Sequence, residues 1–137
     1  MTRQATVLVS DELTFSLNGK TNAFGIYTND IIIPKDPTEG IQLIFMFIIE
    51  TAPDDPFQTL EVVVELPGGD SRRLAIPLGT ILSVSDQRRW CTKFPLLFAR
   101  PILKPGFIEA KVVHERGEIS TAAPAIVLAE ATPLAAH

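Results

Sequence analysis

Apolar and polar positions alternate with a period of two through much of the chain, and eleven prolines and eight glycines interrupt the alternation at short intervals. A period of two sets one side of an extended segment on a core and the other in water. A core-facing helix needs a repeat near 3.6, and no long stretch has it. Thr6 to Ser10 reads as a first strand. Leu13 to Leu17 reads as a second, and Asn18-Gly19 directly after it is the strongest short hairpin signal. The return strand covers about Asn22 to Thr28, with Phe24, Ile26 and Tyr27 for packing. Ile31-Ile32-Ile33 stops at Pro34, where a loop runs to Gly40.

Ile41 to Thr51 and Phe57 to Leu66 flank the turn Ala52-Pro53-Asp54-Asp55-Pro56, and this spacing predicts an antiparallel neighbour pair. Leu60, Val62, Val64 and Leu66 share one face of the second segment, opposite Thr59, Glu61, Val63 and Glu65. Further strands are predicted at Ser71–Pro77, Thr92–Phe98, Phe107–Glu115, Glu118–Thr121 and Ala125–Ala129, with Pro95 suiting an edge strand. Between Leu78 and Cys91 the pattern is weak and compatible with a helical turn near 83–90, capped by Ser83 or Ser85. Nine or ten short strands with almost no helix predict an all-β fold. The expected form is a single-domain antiparallel β-sandwich over residues 6–129, immunoglobulin-like or C2-like, with a frayed tail at 130–137.

Alternation fails at Leu43 to Ile49, where both sides of the strand are apolar. Ile41, Leu43, Phe45, Phe47 and Ile49 lie on one side; Ile44, Met46 and Ile48 lie on the other. A two-layer sandwich covers one side of each sheet, and exposing the second set forfeits roughly 1.5–3 kcal/mol per side chain. The cover is a partner subunit, the C-terminal segment, the Leu78–Cys91 region or the chain's own loops. Ile44, Met46 and Ile48 are therefore the candidate interface of a symmetric homodimer.

Charge and composition narrow the functions. Sixteen acidic and twelve basic side chains give a net charge of −4, against general affinity for nucleic acid or anionic membranes. The longest apolar run has seven residues, far short of a membrane helix, and the N-terminus lacks the features of a secretory signal. The single cysteine, Cys91, precludes an internal disulfide and fits a reducing, cytoplasmic setting.

Chemistry-bearing residues are sparse. His114 falls on the face of Ile108, Ala110 and Val112 near a strand end, with no local nucleophile or ligand set beside it. Cys91 reads as a small buried hydrophobe. Asp30, Asp36, Asp54, Asp55, Asp70 and Asp86 lack the density of a calcium loop and suit solvated turns. Arg88-Arg89-Trp90 is a candidate recognition patch, since arginine and tryptophan are frequent interface anchors. No catalytic residue, cofactor site or metal site is assigned.

Val9-Ser10-Asp11, then Asn18-Gly19-Lys20-Thr21-Asn22-Ala23-Phe24-Gly25-Ile26-Tyr27, and later Pro105-Gly106-Phe107-Ile108-Glu109-Ala110-Lys111 carry a resemblance. Together they resemble a small bacterial β-sandwich family, domain of unknown function 6941, over roughly Thr6 to Leu128. Phe107 departs from its pattern, standing where an acidic residue is common. The resemblance implies the fold and brings no activity, substrate or catalytic residue. The expectation is a non-enzymatic protein-binding or assembly module, a homodimer or the binder of another protein. A small-ligand or carbohydrate binder is the alternative, and an enzyme ranks last.

Overall fold

The computed structural model describes residues 3–15, 21–27, 29–33, 42–78 and 90–128. Twelve strands are formed there: β1 (Gln4–Ser10), β2 (Glu12–Phe15), β3 (Thr21–Phe24), β4 (Ile31–Ile33), β5 (Leu43–Thr51) and β6 (Leu60–Glu65), then β7 (Ser71–Ala75), β8 (Trp90–Phe98), β9 (Gly106–Phe107), β10 (Glu109–His114), β11 (Gly117–Ser120) and β12 (Ala125–Leu128). The fold is the expected all-β sandwich, with antiparallel sheets packed together.

One sheet has the order β1-β5-β8 and the other β11-β10-β6-β7, while β4-β12-β9 forms a third sheet and β2-β3 a hairpin. Their inner faces meet in one core. Val9, Leu43, Phe45, Phe47, Ile49, Leu96 and Phe98 come from the first sheet; Leu60, Val62, Val64, Ala110 and Val112 come from the second; Ile31, Ile33 and Ile126 come from the third. Phe45 and Phe98 meet edge to face at 5.6 Å, the arrangement that the ring quadrupole favours.

Several expectations need correction. β5 and β6 are not neighbours: β5 pairs with β1 and β8, and β6 pairs with β10 and β7. The Ala52–Pro56 turn carries the chain from one layer to the other, so the two apolar faces stack across the core instead of sharing a ladder. The turn is held by the Thr51 hydroxyl, which donates to the Asp55 carbonyl at 3.0 Å.

The predicted Phe107–Glu115 strand breaks at Ile108 into β9 and β10, which belong to different sheets. β4 pairs with β12 in parallel, in a sheet otherwise antiparallel. Val63, read on the wet side of its strand, is buried. Its register partners on the two neighbouring strands are Arg73 and Lys111, residues with long aliphatic stems.

The return strand β3 is shorter than predicted and ends at Gly25, whose φ of +66° suits glycine. A Cβ there would meet the Asp11 carboxylate. Beyond the bend, the Tyr27 N–H donates to the Val9 carbonyl at 2.8 Å. Trp90, placed at the end of a helical turn by the sequence pattern, opens β8 opposite Thr51. The rest of that turn, residues 83–89, and the tail at 130–137 lie outside the described residues.

Candidate functional site

Ile44 and Met46, two of the three candidate interface residues, are already covered in the single chain at 7% and 4% exposure, and Ile48 is half-buried. Leu13 of β2 and Ala23 of β3 line a recess of about 90 Å³ together with Leu8, Met46 and Ile48. Part of this side of β5 is thus covered by the β2-β3 hairpin. Arg88 and Arg89 of the candidate recognition patch lie outside the described residues, and only the backbone position of Trp90 is described.

A different apolar surface stands open. In the β4-β12-β9 sheet, Ile31, Ile33 and Ile126 face the core, so the intervening residues face outward. Phe107 pairs with Ala125, and Ile32 pairs with Val127. Register therefore sets Phe107, Ala125, Val127 and Ile32 in a row across the three strands. Phe107 is 88% exposed and Ile32 66%, with Ala125 and Val127 half-buried between them. The pattern Ile31-Ile32-Ile33 carried a signal for this, because period two must turn the middle isoleucine away from its neighbours. The same alternation turned Phe107 away from Ile108, Ala110 and Val112, but the pattern set it in one strand continuous with β10 and gave no sign of the third sheet.

A polar cluster ties the start of β1 to two turns. The Arg3 side chain is 94% covered (6% exposed), and its guanidinium lies over the Phe57 ring at 4.3 Å. It donates to Glu115 Oε2 at 2.7 Å, to the Pro56 carbonyl at 2.9 Å and to Asp55 Oδ1 at 3.3 Å. It also lies 2.9 Å from His114 Nδ1. The second Glu115 oxygen accepts the backbone N–H groups of Gln58 and Thr59 at 3.0 and 3.3 Å. Arg116 pairs with Asp55.

Since arginine only donates, His114 Nδ1 must accept, which fixes the neutral imidazole with its proton on Nε2. Burial and the Arg3 charge hold the His114 pKa below its ordinary value. Glu115 is held far below the usual carboxylate range, first by its bond to Arg3. For Asp55, burial pulls upward, but the bonds and charges of Arg116 and Arg3 outweigh it and lower its pKa.

Both terminal nitrogens of Arg3 are engaged within this constellation, while its buried Nε has no hydrogen-bond partner. His114 Nδ1 is met by Arg3 and by the Arg116 N–H, and both carboxylates of the cluster are engaged by a guanidinium. The cluster's chemistry is that of a clasp between β1, the β5-β6 turn and the β10-β11 turn. His114 is consequently half-buried and hydrogen-bonded, not simply a surface residue at a strand end.

Cys91 is half-buried and forms no disulfide. Among the described residues no group of three or more His, Cys, Asp or Glu side chains is arranged to hold a metal ion. No helix of the described residues is long and apolar enough to cross a membrane. No protein-family model matches the chain, and no curated protein is significantly similar to it.

Proposed function

We propose that the protein is a non-enzymatic protein-binding or assembly module that uses the outward face of the β4-β12-β9 sheet. The observation that carries this reading is Phe107, an aromatic side chain 88% exposed in a row with Ile32, Val127 and Ala125. Large aromatic residues on a contiguous apolar surface are the anchors of protein interfaces, and covering them recovers the free energy that water exposure forfeits. The first partner is a second copy of the chain, because two-fold pairs are the commonest assemblies and need only one self-complementary patch. The contact is moved from Ile44 and Met46, which the chain covers itself, to Phe107 and Ile32. A cytoplasmic setting and kinship with the bacterial β-sandwich family belong to the same reading.

Size-exclusion chromatography with light scattering tests it. Wild type is expected to show a two-chain mass at micromolar concentration, and Phe107→Asp a one-chain mass with an unchanged circular dichroism spectrum. A photoreactive residue at position 107 is expected to yield chain-to-chain adducts, with none from the exposed polar position of Thr59. Wild type of one-chain mass that gives no protein adduct from position 107 sinks the proposal.

A further inference from the structure

The two sheets leave a flank open where β7, an edge of the second sheet, faces the end of β8, an edge of the first. A recess of about 330 Å³ lies there, lined by Asp70, Arg72, Leu97, Phe98, Arg100 and Pro101 among others. One Arg72 Nη atom donates to the Leu97 carbonyl, which joins the two edges and fixes that guanidinium at the recess. Asp70 keeps its negative charge at the recess but is not in ion-pair contact with either arginine. Its Oδ2 accepts the Ile102 N–H at 2.5 Å. Arg100 has no hydrogen-bond or ion-pair partner among the described residues.

The wall beside Asp70 is closely fitted. Gly68 packs against the Ile102 carbonyl with no room for a Cβ, so the turn and the segment after β8 hold one another in place. Phe98 is buried beneath, and Leu97 offers exposed apolar surface at the side.

We infer that this recess binds a small organic carboxylate with an apolar body. Two guanidinium groups supply planar donor forks matched to a carboxylate. In a protein of net charge −4, two arginines and a single carboxylate among the lining residues leave a local positive excess. The volume falls at the small end of ordinary ligand pockets, enough for a short aliphatic or aromatic acid. The apolar walls favour such a body over a bare inorganic anion. This site lies apart from the proposed interface and stands or falls independently of it.

The test is a two-dimensional NMR titration of the whole chain, following the arginine Nε–H signals and the amides of Leu97, Phe98 and Arg100. The probes are 3-phenylpropionate, its amide and inorganic phosphate. Saturable shifts confined to the recess are expected with the acid in the millimolar range, with the amide and phosphate each about tenfold weaker or more. Arg100→Gln and Arg100→Ala are expected to weaken the acid to a similar degree and to leave distant signals unmoved. The inference is overturned if the acid gives no saturable shift, if the amide or phosphate matches it, or if both Arg100 variants bind like wild type.

Discussion

The outward side of β5 and the outward side of the β4-β12-β9 sheet are made of the same kinds of residue and end in opposite conditions. Met46 and Ile48 share a recess with Leu13 and Ala23 of a hairpin of the same chain, and Ile44 beside them is buried. Ile32 and Phe107 lie on short strands with nothing described above them. The difference originates at the end of β1. A tight bend at Asp11, fixed by the Tyr27 hydroxyl donating to Asp11 Oδ1 at 2.6 Å, throws β2 and β3 back over the first sheet. Among the described residues the third sheet has three short strands and no such flap. Hydrophobicity by itself does not mark an interface. Surface that the local topology leaves uncovered does.

Truncating matched side chains on the two surfaces separates them most sharply. Met46→Ala is expected to cost about 2–5 kcal/mol in urea unfolding, the range for a large side chain removed from a packed site. Ile32→Ala in the dilute single chain is expected to stay within about 0.5 kcal/mol. Equal losses at the two positions would erase the contrast.

Much of this architecture was legible in the chain. The strands, the Asn18-Gly19 hairpin signal and the anomaly at Leu43–Ile49 were all there, because period-two burial is a local property of sequence. The pairing was not legible. The Ala52–Pro56 turn reads as a hairpin, and only the matching of Phe45, Phe47 and Ile49 against Leu60, Val62 and Val64 makes it a crossing between layers. The break at Ile108 escaped for a like reason, since an alternating run does not say when it changes sheet. Arg3, to which the pattern gives no role, meets His114 and Glu115 more than a hundred positions away. No local spacing encodes that contact.

The clasp gives a second contrast, between a region held by charge and one held by apolar packing alone. His114 is held neutral in the folded chain, so below its ordinary value of 6.5 the unfolded chain takes up the proton more readily and stability falls. Glu115 adds a further loss as the pH drops below its ordinary 4.5, because its folded pKa is strongly lowered. Urea midpoints measured from pH 7.5 downward are expected to fall in two stages. His114→Gln is expected to abolish the first and Glu115→Gln to shrink the second, of which Asp55 carries a remainder. A midpoint independent of pH between about 7 and 5 contradicts this account of His114.

A smaller effect concerns the bend that turns the hairpin over β5. Burial first, and then the bond to Asp11, push the Tyr27 hydroxyl up to about 12 from 10.0. Ultraviolet titration of wild type is expected to show that late ionisation. Asp11→Asn is expected to bring it only part of the way back, since burial is the larger cause. An unaltered titration in the variant would remove Asp11 from the bend.

The central claim is that this chain seals one apolar sheet face by itself and leaves another for a partner. Paramagnetic solvent broadening of assigned side-chain signals, tracked from dilute to concentrated protein, tests it directly. The account predicts Ile44 and Met46 shielded at every concentration, with Ile32 and Phe107 broadened when dilute and shielded as copies associate. Broadening of Ile44 and Met46 on dilution, or Ile32 and Phe107 unchanged throughout, would contradict it.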